Sequence, residues 1–200
     1  MIDALTLVLS QLNQYIHYAD GNPVGTVDPV VLGNISQLDN NNISNDLENK
    51  VVLTLVNLGE ESALKNNEPY TRTVTGKVNY RNPPIYLILS MLFSANYTNY
   101  DTALKRLTQV LTFFQGRNNF NLGGSSGIPQ SISPAADISL RMDLMSPSLE
   151  EVNNLWGALG GKQIPSVIYR GRLVMILDQR VVDSGELIDE VTVIGRDMFR

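Results

Sequence analysis

The chain has no cysteine and a single histidine, His17, and these two shortages remove most of the usual catalytic chemistry. Without cysteine there is no thiol nucleophile, no zinc–thiolate site and no disulfide, so the fold is indifferent to redox conditions. One histidine excludes a histidine-cluster metal site and leaves only carboxylate sites conceivable. Long apolar runs are missing too. The longest, "IYLILSMLF" at 85–93, is about half what a membrane-spanning helix requires, so no membrane insertion is expected. The opening "MIDALTLVLSQL" carries Asp3 and no basic stretch, which predicts no secretory signal peptide. Positive charge is in deficit: 15 Lys and Arg against 20 Asp and Glu give a net charge of −5, and the basic residues are scattered. Nucleic acid is therefore not an expected partner, because phosphate affinity comes mainly from clustered Lys and Arg.

What is present is firm core patterning. Two hundred residues suit one domain, 1–200, able to bury roughly 70% of its unfolded surface without a staple. Ile2, Leu5, Leu9, Leu12 and Ile16 recur at steps of three and four, which predicts a helix ended by Asp20-Gly21-Asn22-Pro23. "DPVVLGNIS" is consistent with a short strand, and "QLDNNNISNDLENK" reads as a mobile surface loop rich in turn-forming Asn and Asp. In "KVVLTLVNLGEES" (50–62) Val51, Leu53 and Leu55 alternate with Val52, Thr54 and Val56. Both faces are largely apolar, so this strand is expected to be covered on both sides.

The stretch "NNEPYTRTVTGKVNYRNPP" has β-favouring chemistry and too weak an alternation for core. It predicts a projecting arm or β-hairpin over 66–82. A buried strand at 85–93 follows, then the polar hinge "SANYTNYD". The helix after it has Tyr100, Ala103, Leu104, Leu107, Val110, Leu111 and Phe114 on its inner stripe and Gly116 as its stop. Thr98 and Asp101 are expected to cap it. "NLGGSSGIPQSISPAA" reads as a flexible loop. "DISLRMDLMS" is a strand with Ile138, Leu140, Met142 and Leu144 on one face. Ser148 to Glu151 forms a capping box opening a short helix with Leu149, Val152, Leu155, Trp156 and Leu159 inward, closed by Gly160-Gly161. A long strand in "PSVIYRGRLVMILDQRVV" (165–182), with a bend at Gly171, and a tail over 183–200 complete the chain. The fold class expected is α/β (α+β): a single domain with a mixed, largely antiparallel sheet and helices packed on one face.

A search for chemistry returns nothing convergent. His17 stands at the end of the first helix, where its charge suits the dipole, and is expected to cap or solvate that end. "GALGGKQ" (157–163) fails as a phosphate loop on spacing, on Gln163 where Ser or Thr should stand, and because it ends a helix. No G-x-S-x-G elbow occurs, and no second base accompanies His17 for a serine triad. Glu60 and Glu61 are adjacent in a strand and so point to opposite sides. Asp183, Glu186, Asp189 and Glu190 lack the alternating oxygens of a calcium loop. The sequons at Asn34, Asn42 and Asn96 carry meaning only in a secretory route. Catalytic, cofactor-binding and metal residues are accordingly expected to be none. A carboxylate-based enzyme remains as one alternative, predicting a pocket with shifted carboxylates. A small soluble adaptor or ligand-binding module remains as another.

Three stretches together resemble one family: "VVLGNIS" with "VVLTLVNLGEES"; "NPPIYLILSMLFSANYTNYDTALKRLTQVLTFFQG"; and "SLEEVNNLWGALGGKQIPSVIYRGRLVMI". The chain is similar, from residue 1 to about 180, to the tail-terminator or cap proteins of extracellular contractile injection systems, phage-tail-like particles of the antifeeding-prophage type. The resemblance implies a structural subunit without catalytic residues or cofactors. It implies a hexameric ring on the distal end of the inner tube that ends tube growth and engages the terminal sheath layer. Its partners would be further copies of itself, the inner tube protein and the sheath protein. It would assemble in the cytoplasm and then belong to a particle released from, or retained in, the producing cell. A closed ring needs two different complementary patches on each subunit. Tyr70, Thr71, Arg72, Thr73, Val74, Lys77 and Tyr80 of the arm are the candidates for one of them, by adding a strand to a neighbour or gripping the tube. The acidic balance would let loops meet a basic tube or sheath surface.

Overall fold

The computed structural model describes residues 1–21, 27–38, 44–61, 70–72, 77–80, 86–121, 139–160, 162–174 and 183–186. Helix α1 (Ile2–Ala19) is followed by strand β1 (Val30–Leu32), a single 3-10 turn (Ile35–Gln37), the short helix α2 (Ser44–Leu47) and strand β2 (Lys50–Glu60). Then come β3 (Tyr70–Arg72), β4 (Lys77–Tyr80), β5 (Tyr86–Asn96), α3 (Tyr100–Gly116), β6 (Asn119–Asn121), β7 (Ser139–Met145), α4 (Leu149–Ala158), β8 (Ser166–Val174) and β9 (Asp183–Glu186).

Six strands form the main sheet in the order β1-β2-β5-β8-β7-β6. Only β1 and β2 run parallel; every other neighbouring pair is antiparallel, as the mixed, largely antiparallel expectation has it. The long strands β5 and β8 occupy the centre: β5 is buried along most of its second half, whereas β8 alternates, with Tyr169, Gly171 and Leu173 buried and Arg170 and Arg172 exposed. The three-residue strands β1 and β6 take the edges, which keeps the open edges short.

The two long helices pack on one face of this sheet. Leu5, Val8, Leu12 and Ile16 of α1 and Leu107, Val110 and Phe114 of α3 meet Val51, Leu53, Leu89, Met91, Phe93 and Leu173 in one core. An aromatic group fills its middle: Phe114 lies 4.5 Å from Tyr169 and 5.4 Å from Phe93, ring centre to ring centre. Burial in this group pushes the Tyr169 hydroxyl up to about 12. The opposite face carries a smaller layer, in which Trp156 of α4, Leu47 of α2 and Ile35 cover Val52 and Leu92. The apolar character of both faces of β2 foretold such a cover, but the expectation that the helices share one face is corrected: α4 and α2, the latter within a stretch read as a loop, pack on the face opposite α1 and α3 because Val52 and Leu92 need covering there.

Several local readings change. The stretch expected to form a short strand ends in the turn at Ile35–Gln37, and the segment expected to be a mobile loop contains α2, whose Leu47 is buried; residues 39–43 lie outside the described residues. Thr54 locks this crossover, its hydroxyl donating to the Gly33 carbonyl at 2.8 Å and accepting the Ile35 N–H at 3.1 Å. Ser94, Ala95 and Asn96 of the hinge belong to β5. The cap of α3 is Asn99, whose Oδ1 accepts the N–H groups of Asp101 and Thr102, and not the Thr98–Asp101 pair. The Ser148–Glu151 capping box forms as expected, and the Ser148 N–H and hydroxyl hold the Glu151 carboxyl below its usual range. Gly160, with φ +68°, stands just past α4 as its stop. Gly171 turns out to be a packing requirement: a Cβ there would lie 2.4 Å from the Met91 methyl and 3.0 Å from Leu140 Cδ1.

Candidate assembly surfaces

Three surfaces stand out when the residues are followed upward from the sequence. The first is the arm. β3 and β4 pair as an antiparallel hairpin, Tyr70 opposite Tyr80 and Arg72 opposite Val78. The sequence did not foretell the third strand, β9, which pairs antiparallel with β4 through Tyr80–Asp183 and Lys77–Glu186. Of the residues proposed for the arm interface, Tyr70, Thr71 and Arg72 lie in β3 and Lys77 and Tyr80 in β4, so one small sheet brings these five together. Thr73 and Val74 lie outside the described residues. The weak amphipathic pattern of the tail gave no sign of which strand it would join.

All three strands of this small sheet connect to one end of the main sheet. Glu60 at the end of β2 pairs with Leu87, and Tyr86 at the start of β5 pairs with Val174 at the end of β8. The chain therefore leaves that end twice, into β3 and into β9, and returns to it once, from β4.

The second surface is the groove between α1 and the edge strand β1, a cavity of about 420 Å³. Asn13 is buried at its floor. Its amide donates to the Val30 carbonyl at 2.9 Å and its oxygen accepts the Val30 N–H at 2.9 Å. His17 also lines the groove, 5% exposed, with Nε2 3.5 Å from Asp28 Oδ1. It does not solvate the helix end, as the sequence led one to expect; one turn of α1 places it on the inner side. The helix end is held instead by Asp20. Burial works to raise the Asp20 pKa, but hydrogen bonds from Arg106, Lys105 and Gln109 of α3 outweigh it and hold the carboxyl at about 2.

The third surface lies where α4 meets the ends of β7 and β8. Tyr100, Leu144 and Leu149 were expected to face inward, yet they are 64%, 55% and 88% exposed. They border an apolar groove of about 700 Å³ floored by Trp156, Ile164 and Ile168. Met142 belongs to the core on one face and Trp156 to the layer on the other, and these three side chains stand at the rim beyond both. Beside the groove, Arg141 of β7 is the register partner of Arg172 of β8, and Asp143 stands between them at 3.2 and 3.7 Å.

Asp20 and Glu151, whose shifts are resolved, are both lowered, the opposite of what a general acid needs. Among the described residues no group of His, Asp and Glu could hold a metal ion, and no helix is long and apolar enough to cross a membrane.

No curated protein matches the chain. Among solved structures it is similar to a PVC sheath/tube terminator of an extracellular contractile injection system in its extended state, at 19% identity and TM-score 0.49, covering 75% of this chain and 51% of that one. It is also similar to the tube-terminating cap of the anti-feeding prophage, at 11% identity and TM-score 0.57, covering 98% of this chain and 61% of that one. The chain thus spans less than two thirds of either protein, and the second likeness establishes a shared fold. The profile of one family matches residues 4–190, nearly the whole length. On that match, the chain belongs to the Pvc16 N-terminal domain family.

Proposed function

We infer that the chain is a structural terminator of a contractile injection particle: a subunit of a hexameric ring that sits on the distal end of the inner tube, stops its growth and engages the last sheath layer. Membership of the Pvc16 N-terminal domain family carries the reading. The two solved relatives are a sheath/tube terminator and a tube-terminating cap, and both are parts of assembled particles. The arrangement of surfaces supports it: a small sheet reached from one end of the main sheet and an exposed apolar groove at the other suit work done by contact. The arm would supply part of one ring contact through Tyr70, Thr71, Arg72, Thr73, Val74, Lys77 and Tyr80, by adding a strand or gripping the tube. Acidic loops would meet basic tube or sheath surface and set register more than affinity.

The test is a deletion of residues 68–80, assayed by electron microscopy of particles and by thermal melting of the purified chain. The expected outcome is loss of rings and capped particles with a nearly unchanged melting temperature, since the described residues of both hydrophobic cores come from other segments. Normal capped particles from this deletion would refute the role given to the arm.

A further inference from the structure

We propose that the apolar groove at the α4 end of the sheet receives the C-terminal segment of a second copy of this chain, residues 187–199, and that this exchange is one of the contacts joining neighbouring subunits. The proposal deepens the ring reading above and rests on it for the identity of the neighbour. It starts from three side chains with nothing to cover. Tyr100, Leu144 and Leu149 stand out around a groove of about 700 Å³, a size and character that suit an extended apolar peptide segment. Trp156 forms part of its floor, and the indole N–H of this buried side chain has no partner among the described residues. A backbone carbonyl of an incoming segment is the acceptor such a donor lacks.

Charge identifies the occupant. Arg141 and Arg172 face each other across β7 and β8, an arrangement of like charges that is unfavourable unless an anion relieves it. Asp143 relieves part of it, and Arg170 adds a third cation to the same surface. Glu151, the other carboxylate there, is turned back onto the Ser148 N–H at 2.7 Å. The surface therefore asks for an apolar segment led by acids. Residues 187–199, which lie outside the described residues, read "LIDEVTVIGRDMF": Asp189 and Glu190 immediately precede Val191, Val193 and Ile194.

Geometry points to a neighbour's segment and not the chain's own. The small sheet that contains β9 leaves the main sheet at its Tyr86–Val174 end, whereas the groove lies at the Ser94–Ser166 end. Eight residue steps of strand, roughly 27 Å, separate the two ends. Within the small sheet Glu186 pairs with Lys77, so the chain leaves β9 beside the end of β4 that is further along the chain from β5. The eight steps from Glu186 to Ile194 span at most about 29 Å when fully extended, close to the separation of those two ends, so a donor and an acceptor set at opposite ends meet most directly between copies. A donor at one end and an acceptor at the other make a head-to-tail contact, the kind that closes rings.

The absence of cysteine makes the test clean. Full-length Leu149→Cys and Ile194→Cys variants carrying tags of different size are co-assembled and oxidised. The expected result is a disulfide-linked pair carrying both tags, weakened about tenfold by Arg141→Glu with Arg172→Glu. Adding Asp189→Arg with Glu190→Arg to the Ile194→Cys variant should restore it. The absence of a disulfide-linked pair carrying both tags overturns the proposal, as does a chain bearing both substitutions that closes only an internal disulfide and never links to another chain. Six-fold rings in negative stain without the cross-link would leave the ring standing and remove the tail from it. The cross-link without rings would keep the exchange and count against the ring.

Discussion

Asn13 and Val30 are joined by a reciprocal pair of hydrogen bonds, each 2.9 Å long, so that a side chain of α1 does for the edge strand what a neighbouring strand would do. Both backbone groups of Val30 are buried and would otherwise be orphaned. Replacing Asn13 by Leu should destabilise the chain by about 2–3 kcal/mol, lowering its melting temperature by roughly 5–10 °C. Asn13→Asp keeps the acceptor and loses the donor at neutral pH, so it should regain stability as the medium is acidified. A melting curve of each variant at pH 7 and pH 4 reads both outcomes.

The Asp20 cluster gives the fold an acid limit. Asp20 is held at about 2 against an ordinary value of 3.8, so its contribution is complete above 3.8 and disappears as the pH falls through 2. Asp20→Asn should cost about 1–3 kcal/mol at pH 7, where charged hydrogen bonds to Arg106 and Lys105 are lost. Urea unfolding of both proteins checks this. The gap between them should narrow at pH 2.

Gly171 tests the tightness of the main core. Gly171→Ala brings a Cβ against the ends of Met91 and Leu140, which can give way, so a loss of about 1 kcal/mol is expected. Gly171→Val adds branches with no room and should cost about 3 kcal/mol. Met91→Ala in the valine background should recover part of that loss, as read by the same unfolding experiment.

How much of this was legible in the sequence follows from how each element finds its partners. β2, β5, α1 and α3 are long and periodic, so their own residues announce them, and the capping box at Ser148 marks α4 to the residue. β6 escaped because three residues carry no period. Phe120, its single buried side chain, has meaning only once Phe113 and Phe114 stand behind it at 5.9 and 6.0 Å. Tyr100, Leu144 and Leu149 kept their helical or alternating spacing and still missed the core, because spacing fixes a face and not where the core ends. The arm hairpin was readable from local chemistry, whereas its pairing with β9, about a hundred residues later, depends on tertiary placement alone.

The exposed groove allows a separation of folding from assembly. Leu144→Glu together with Leu149→Glu alters two side chains that cover nothing, so stability should change by no more than about 0.5 kcal/mol. Size-exclusion chromatography with light scattering should nevertheless show a smaller assembly than the parent chain forms. A large loss of stability instead would mean that these leucines belong to the core.

The central claim is that this chain acts as a collar that ends a tube, and the measurement closest to it is the length distribution of tubes in particles made without it, imaged by electron microscopy. The account predicts tubes of irregular length whose sheaths detach, with uniform length and attached sheaths restored when the chain is supplied again. Particles of normal, uniform length with sheaths in place in its absence would contradict it.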